Sequence, residues 1–339
     1  MTATIPPQAA GSPIRAFVFG KFMPFHEGHA RLIDFARQHC RCLTVLVCAS
    51  DQEALPGRVR QAWLQETYAA AAAVEIRLLE YQESELPNTS ETSLAVATVW
   101  ADKFRVLLPD YSLVVTSEPY GELVAARMGI RHLAFDVARG LVPVSASVIR
   151  QNPAAYWHFL PASVKPYYVR KVVVLGTEST GKTTLATQLA AHFRATLVPE
   201  AGRDLIADST RFSLADLYAV AIEHARRIRL AQVGASPLVV IDTDIHITQS
   251  YARLMGEREL VVPPDVYALN RADLYLYLSP DVPFVQDGTR LPAPDRLRLD
   301  RSHRRVLQEC GIAVVEIGGS WEQRFQRAVQ LLEALFGAG

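Results

Sequence analysis

The sequence predicts an α/β protein made of two consecutive parallel-sheet domains. The chain has 339 residues, which is too long for one ordinary hydrophobic core. Short apolar runs alternate with helical patterns, as is typical of parallel strands covered by helices on both faces. The alternation stops once and then restarts. We therefore expect a first domain at residues 15–150, a packed connection at residues 151–170 and a second domain at residues 171–339.

The first domain is predicted to carry its strands on short apolar runs. These strands are Ala16–Phe19, Leu43–Ala49, Val74–Leu79, Leu113–Thr116 and His132–Phe135. Apolar residues at helical spacing predict helices at His29–Gln38, Val59–Ala72, Thr92–Leu108 and Gly121–Met128. Residues 1–14 contain prolines and no signal-peptide pattern, so we expect a disordered tail there.

The second domain repeats this plan after a proline-rich and aromatic connection. Its predicted strands are Val172–Leu175, Thr196–Val198, Leu238–Asp242, Leu274–Leu278 and Ala313–Ile317. Its predicted helices are Leu185–Phe193, Leu214–Gln232 and Trp321–Phe336. In sheets of this kind ligands bind beyond the carboxyl ends of the strands, so the loops there should carry the function.

Composition narrows the class of protein. Half of the residues are hydrophobic and 21% are charged, as in soluble globular proteins. The 35 Lys and Arg residues balance 35 Asp and Glu residues, so we expect no nucleic-acid partner. No apolar run is long enough to span a membrane, and we expect no membrane association. The four cysteines form no C-x-x-C pair; we expect buried free thiols and a cytoplasmic location.

A phosphate-binding signature opens the second domain. In "GTESTGKT", Gly176, Gly181, Lys182 and Thr183 have G-x-x-x-x-G-K-T spacing between an apolar run and a helical pattern. Glycines let backbone N–H groups surround phosphate oxygens, the lysine reaches the outer phosphates, and the threonine hydroxyl can hold magnesium. We expect an ATP site here, with further contacts from Glu178, Ser179, Thr180 and Thr184.

Two other stretches complete the predicted kinase site. The strand in "PLVVIDTDIHITQ" ends at Asp242 and Asp244, which suit magnesium binding or contact with a substrate hydroxyl. Arg290 and Arg296 follow later in a Gly- and Pro-rich segment, which suits a lid that closes on the transferring phosphate. A small P-loop domain with such a loop favours a metabolite kinase over a mechanical ATPase.

A second phosphate-binding pattern opens the first domain. In "GKFMPFHEGH", His26 and His29 are three residues apart at the start of a predicted helix, so both rings can face one side. Gly28 leaves room for a ligand, and Lys21 adds a cation. Satisfied structural histidines and a zinc pair are the alternatives; zinc is disfavoured because its helical pairs usually have H-E-x-x-H spacing and no third ligand is evident.

This motif resembles the H-x-G-H signature of nucleotidylyltransferases. A second signature of that kind, a Ser/Thr-rich helix start ending in a basic residue, is matched by "VPVSASVIR" with Ser145, Ser147 and Arg150. The resemblance implies a Rossmann-like domain that aligns a phosphate oxygen with the α-phosphate of ATP. It implies catalytic roles for Lys21, His26, His29 and Arg150, and ATP contacts by Gly20, Phe22, Gly28, Ser145 and Ser147.

An H-x-G-H domain followed by a P-loop domain resembles the NadR family. The further stretches that carry the resemblance are "TSEPYG", "GTESTGKT", "IDTDIHITQ" and "DGTR". The resemblance implies that the second domain phosphorylates nicotinamide riboside and that the first joins the mononucleotide to AMP, giving NAD and pyrophosphate. ATP and Mg²⁺ would be required. A homo-oligomer is left open.

The family pattern also implies individual site residues. Lys182 and Asp242 would be catalytic, Thr183 and Asp242 would hold magnesium, and the kinase ATP site would include Arg290 and Arg296. Substrate contacts would come from Asn88, Glu200, Arg203 and Asp244.

The chain departs from the family pattern at three places. "EAGRD" has Ala201 where an aromatic residue is common, so another wall for the nicotinamide ring is expected, with Tyr218 and Tyr251 as candidates. The family's tryptophan near Asn88 is displaced, although Trp100 follows. The first strand begins near residue 16, which leaves no room for the family's helix-turn-helix domain. A coenzyme A biosynthesis fusion and a nucleotide-sensing regulator are the alternative functions.

Overall fold

The computed structural model describes residues 14–88, 93–206, 212–256, 259–281 and 293–337. The chain divides into two compact units between Val164 and Lys165, inside the stretch that the sequence assigns to the connection. Each unit contains one five-stranded sheet in which all paired strands are parallel. The predicted fold class is therefore confirmed. In the described part of the chain, no helix combines the length and the apolarity that crossing a membrane requires.

The first unit has the strand order β3-β2-β1-β4-β5. Its strands are β1 (Arg15–Gly20), β2 (Cys42–Ser50), β3 (Val74–Tyr81), β4 (Leu113–Thr116) and β5 (Arg131–Ala134). Its helices are α1 (Glu27–Arg37), α2 (Gly57–Thr67), α3 (Leu94–Leu107), α4 (Tyr120–Met128) and α5 (Ala146–Gln151), followed by one 3₁₀ turn, Trp157–Phe159.

The core of the first unit explains why the central strands form. Strand β1 is apolar on both faces because helices cover both, and Phe17 and Val18 are fully buried. Phe104 of α3 packs edge-on against Phe17 with ring centroids 5.5 Å apart. Strand order reverses between β1 and β4, so the crevice beyond their carboxyl ends is the expected binding place.

The second unit has the strand order β10-β9-β6-β8-β7. Its strands are β6 (Arg170–Gly176), β7 (Thr196–Val198), β8 (Leu238–Asp242), β9 (Leu274–Leu278) and β10 (Val315–Ile317). Its helices are α6 (Lys165–Tyr168), α7 (Lys182–Phe193), α8 (Gly202–Leu205), α9 (Leu214–Gln232), α10 (Ile245–Leu254), α11 (Pro264–Leu269), α12 (Ala293–Glu309) and α13 (Trp321–Gly337).

The central strand β6 positions the phosphate-binding loop of the second unit. Val172, Val173, Val174 and Leu175 are fully buried, which fixes the end of the strand at Gly176. Strand β8 pairs with β6 and ends at Asp242, so the aspartate and the loop emerge side by side. This proximity follows directly from parallel pairing.

Two expectations about local structure are wrong. Arg296 was expected in a loop, but it belongs to α12, because an amphipathic pattern begins right after the Gly- and Pro-rich segment. The cysteines are free, yet only Cys48 is buried; Cys40 and Cys310 are half-buried and Cys42 is exposed. Cys42 is the first residue of strand β2, and at this end of the strand its side chain is exposed to solvent.

Candidate active sites

The histidines of the first unit meet where β1 passes into α1. His26 is the N-cap of α1, and its Nδ1 accepts a hydrogen bond of 3.0 Å from the Gly28 backbone N–H. The ring of His29, on the first turn of the helix, lies beside it with centroids 3.9 Å apart. The two rings therefore face one side, at the carboxyl end of the central strand.

Both imidazoles are neutral near pH 7. Burial, assisted by the charge of Arg139, lowers the pKa of His26 to about 4. Burial also lowers the pKa of His29 well below its usual value, and His26 and Arg139 add to the effect. Because Nδ1 of His26 is an acceptor, its proton lies on Nε2, which is left as a donor. Within the described residues, the buried Nδ1 of His29 has no hydrogen-bond partner.

Gly28 and Phe22 act on the histidine rings. A Cβ atom on Gly28 would lie 2.9 Å from Cε1 and 3.1 Å from Nδ1 of His26, so glycine is needed for the ring to fold over the backbone. Phe22 was expected to contact ATP, but its side chain is 1% exposed and its ring supports His29 at a centroid distance of 5.0 Å.

Lys21 is oriented by a buried ion pair that the sequence analysis missed. Arg60 of α2 is completely buried, and its Nη2 lies 2.7 Å from Oε2 of Glu53. Arg60 also donates a 2.8 Å bond to the backbone carbonyl of Lys21. The other oxygen of Glu53 lies 3.6 Å from Nζ of Lys21. No motif links these three positions, because β2 and α2 bring them together.

The second signature reaches the same loop. The Arg150 guanidinium donates to the carbonyl of Met23 and, over 3.0 Å, to the hydroxyl of Ser147. Ser145 is the N-cap of α5 and accepts from the Val148 N–H. The Ser145 side chain is thus used as an ordinary cap, whereas Arg150 and Ser147 lie beside the histidine loop.

A third side of this site comes from the loop after β5. The Asp136 carboxylate accepts backbone N–H bonds from Gly140 and Leu141, which folds the loop back on itself. The loop carries Arg139, whose guanidinium pairs with Glu118 of the "TSEPYG" stretch at 3.0 Å. Since Arg139 lowers the pKa of both histidines, it adds a cation that the sequence analysis did not identify.

Asn88 lies just beyond strand β3, at the same edge of the sheet. Its Nδ2 donates to Glu83 over 2.5 Å, and its Oδ1 accepts from the Tyr81 hydroxyl over 3.1 Å. Trp100 is buried and its indole N–H donates to the carbonyl of Pro87, so it anchors this segment to the core. Trp100 is therefore a packing residue in this chain.

In the second unit, glycines shape the phosphate loop. Gly176 has a φ of +143° and Gly181 a φ of +86°, and a Cβ atom at Gly176 would lie 2.8 Å from the carbonyl oxygen of Leu278. Lys182 donates to the carbonyl of Thr177 over 3.1 Å, across the loop. Thr180 was expected to contact ATP, but the residue is fully buried and its hydroxyl donates to the same carbonyl over 2.8 Å.

A hydroxyl and a carboxylate face the end of this loop. The Thr183 hydroxyl donates to Oδ2 of Asp242 over 2.6 Å. Burial raises the pKa of Asp242, although Thr183 and the charge of Lys182 oppose the shift. One hydroxyl, one carboxylate and nucleotide phosphates form an oxygen set that suits Mg²⁺. No group of three or more His, Cys, Asp or Glu side chains that could hold a metal occurs among the described residues.

A cavity of about 620 Å³ opens beside the phosphate loop. Glu200 and Arg203 line it as predicted and pair with each other at 3.0 Å. Of the two aromatic candidates, Tyr251 lines the cavity and Tyr218 is not among the lining residues. Phe212, which the sequence analysis missed, meets Tyr251 edge-on with centroids 5.8 Å apart.

Asp244 lines the same cavity and also has a structural role. Its side chain is fully buried and caps α10 by accepting from the backbone N–H groups of His246 and Ile247. Its second oxygen accepts from Nδ1 of His246 over 2.5 Å, and Nε2 of that ring contacts the Tyr267 hydroxyl at 3.0 Å. These bonds give Asp244 a capping role on α10; it also lines the cavity, and its contact with substrate stays a prediction.

The two arginines that were predicted to form a lid, Arg290 and Arg296, have different outcomes. Arg290 and the "DGTR" stretch lie outside the described residues. Arg296 is 7% exposed, and its Nε donates to the carbonyl of Glu178 over 3.0 Å, so it braces the phosphate loop and is not part of a lid. A second brace was missed: the buried Arg324 of α13 donates to the carbonyl of Thr180 over 2.9 Å.

Comparison with known proteins agrees with this arrangement. A family model described as an AAA domain matches residues 171–324. The trifunctional NAD biosynthesis/regulator protein NadR of Escherichia coli (strain K12) is 31% identical over 348 residues, which cover 94% of this chain and 83% of the relative. The protein of the same description from Salmonella typhimurium (strain LT2) is 29% identical, with the same shares of both chains.

Two solved structures share the fold over almost the whole chain. NadR protein in complex with NR has a TM-score of 0.69 and 22% identity, covering 95% of this chain and 96% of the other. NadR protein in complex with NAD and AMP-PNP has a TM-score of 0.68 and 22% identity, covering 96% and 97%. With the identity and coverage of the Escherichia coli relative, the chain belongs to the NadR family.

Proposed function

We propose that the chain makes NAD from nicotinamide riboside in two ATP-dependent steps. The second unit phosphorylates the riboside, and the first unit transfers AMP from ATP to the resulting mononucleotide. The observation that carries the proposal is that two different phosphate-binding sites are present, one around paired imidazoles and one around a P-loop lysine. Each site lies beyond the carboxyl end of the central strand of its own sheet.

In the kinase step, Asp242 would receive the proton of the riboside 5′ hydroxyl. Its position beside Thr183 places it next to the end of the phosphate loop, and its raised pKa makes it a better base than an exposed carboxylate. The hydroxyl oxygen would attack the γ-phosphorus, and ADP would leave with its phosphates held by Lys182 and the loop. Magnesium, held by Thr183 and Asp242 with the nucleotide, supplies neutralisation of phosphate charge.

The cavity next to Asp242 would bind the riboside. Glu200 and Arg203 offer an acceptor and a donor for the ribose hydroxyls. Phe212 and Tyr251 supply the apolar surface that a nicotinamide ring needs, and they replace the aromatic residue missing at the buried Ala201. Tyr251 is held by a 3.1 Å bond from its hydroxyl to Glu178.

In the adenylyl step, a phosphate oxygen of the mononucleotide would attack the α-phosphorus of ATP. The bond to pyrophosphate breaks, and negative charge develops on the leaving group. The Nε2–H of His26 and the ring of His29 would donate to these oxygens as neutral imidazoles. Lys21 and Arg150 would supply the positive charge that the rings lack. ATP and NAD metabolism accords with the cytoplasmic location expected from the sequence.

Separate loss of the two steps tests this function. We expect Lys182→Ala to abolish phosphorylation of nicotinamide riboside, because the outer phosphates lose their cation, while adenylyl transfer to supplied mononucleotide continues. His29→Ala should slow adenylyl transfer by about 10²–10³-fold, the usual cost of one transition-state donor, and spare the kinase. ADP, mononucleotide and NAD are quantified by chromatography. Equal loss of both activities in both folded variants would contradict the two-site assignment, and inactivity of the wild-type chain would favour a regulator.

A further inference from the structure

One aromatic side chain near the phosphate loop has no role in the function described so far. Trp321 begins helix α13, just after strand β10. The other three tryptophans, Trp63, Trp100 and Trp157, are 5%, 7% and 4% exposed, whereas Trp321 is 55% exposed. An indole that is not needed for the core and remains open to solvent is available to a ligand.

The indole of Trp321 is seated on the turn of the phosphate loop. A Cβ atom on Gly181 would lie only 2.3 Å from Cζ3 and 2.6 Å from Cη2 of the indole, so the ring occupies the space that glycine leaves. Arg324 fixes this arrangement: its guanidinium carbon lies 5.4 Å from the ring centroid, and it donates to the carbonyls of Thr180 and Gly319. The indole thus adjoins the phosphate loop and is still half exposed.

The strand order gives the direction of a bound nucleotide. Strands β8 and β7 lie on one side of β6, and the acceptor residues Asp242 and Glu200 follow those strands. Strands β9 and β10 lie on the other side, and Trp321 follows β10. A nucleotide that turns its terminal phosphate toward Asp242 must extend its base away from that side, toward Trp321.

We propose that Trp321 forms the stacking surface for the nucleobase of the phosphate donor in the kinase unit. The inference rests on the proposed kinase function and adds a residue that determines nucleotide affinity. Stacking on an aromatic ring suits any base, because every base has a π-face, so Trp321 strengthens binding and leaves the choice among bases to other groups. Its effect should concern the nucleoside part of the donor alone.

Kinetics of Trp321→Ala and the matched Trp321→Phe test the proposal. We expect the alanine variant to raise the KM for ATP about 10–100-fold while kcat and the KM for nicotinamide riboside stay within about two-fold. The phenylalanine variant should recover most of the affinity. Inorganic tripolyphosphate, which has no base, should inhibit all three proteins equally. If Trp321→Ala weakens tripolyphosphate and ATP alike, the residue only supports the loop and the proposal is wrong.

Fluorescence gives a readout that does not depend on the acceptor. Because Trp321 is the exposed tryptophan, ADP should change the emission and protect it from acrylamide quenching, and both effects should be absent in Trp321→Phe. Tripolyphosphate should produce neither effect. If ADP binds without any change in this signal, the stacking proposal fails. If the signal changes but riboside is not phosphorylated, the proposed function fails and the stacking proposal stands.

Discussion

His26 uses the two nitrogens of one ring for different purposes. Nδ1 accepts from the Gly28 N–H and caps α1, and this bond leaves the proton on Nε2, which the proposed adenylyl step uses. A substitution that keeps the cap on α1 but lacks the Nε2 proton can therefore separate the capping role of His26 from its proposed role in adenylyl transfer. The motif needs glycine at position 28 because the capping ring lies where a Cβ atom would be.

We expect two substitutions of His26 to have the same effect on adenylyl transfer but different effects on the stability of the protein. Asparagine is a preferred N-cap residue, so His26→Asn should keep the cap and lose adenylyl transfer by at least about 10²-fold. His26→Ala should lose the same activity and also about 1 kcal/mol of stability. Thermal unfolding and both enzyme assays measure this, with kinase activity as the internal control. Full adenylyl transfer by His26→Asn would show that the Nε2 proton is not used.

Acid should destabilise the first unit through His26. The folded pKa is about 4 and the unfolded value is 6.5, so between these pH values the unfolded chain binds a proton that the folded chain does not. Stability from this group is complete above pH 6.5 and is lost as the pH falls toward 4. From pH 7.5 to pH 5 the loss should be about 2 kcal/mol. Urea unfolding of wild type and His26→Asn at both pH values measures it, because the variant lacks this contribution. An equal pH dependence in both proteins would contradict the neutral buried ring.

At the scale of elements, apolar runs were enough to find the strands. The strands β4, β7, β8 and β9 have the predicted bounds because fully covered parallel strands are continuous apolar runs between polar loops. Helix α10 was missed, since "IHITQSYARL" is rich in β-branched and polar residues and its buried cap, Asp244, resembles a site residue. The braces Arg60, Arg296 and Arg324 could not be predicted, because each acts on a backbone carbonyl distant in sequence.

Helix α10 provides a test of the capping role of Asp244. Asp244→Ala removes the cap and leaves the buried His246 without its acceptor, so we expect a loss of at least about 3 kcal/mol. Asp244→Asn keeps an oxygen for the cap and should cost less. Ser213→Ala, at the exposed cap of α9, is the control and should cost about 1 kcal/mol. Denaturant unfolding measures all three. A stable Asp244→Ala protein that has lost only riboside affinity would show that Asp244 serves the substrate contact and not the cap.

At the scale of the whole molecule, the proposed function gives each sheet one reaction and makes the product of the second unit the substrate of the first. The order of the two signatures along the chain was enough to predict both reactions. It did not predict all the walls of the sites, because Arg139 and Phe212 come from loops without a motif. Their positions depend on the path by which the loops return to the carboxyl ends of the strands.

Mixing two inactive variants tests whether the units work as separate enzymes. Lys182→Ala and His26→Asn should each fail to convert nicotinamide riboside to NAD. An equimolar mixture should recover NAD formation after a lag, because mononucleotide made by one chain diffuses to the other. NAD is followed over time, with supplied mononucleotide as the control for the first variant. Absence of NAD from a mixture that accumulates mononucleotide in free solution would contradict independent sites.

The two arginine braces of the phosphate loop have a consequence for the growing chain. Arg296 and Arg324 hold the carbonyls of Glu178 and Thr180, on either side of Ser179, whose φ is +60°. Both arginines are synthesised more than a hundred residues after the loop. A ribosome-bound chain that already contains the whole G-x-x-x-x-G-K-T signature therefore still lacks the two arginines that brace the phosphate loop. The loop acquires its nucleotide-ready form only when the last helix has emerged and docked.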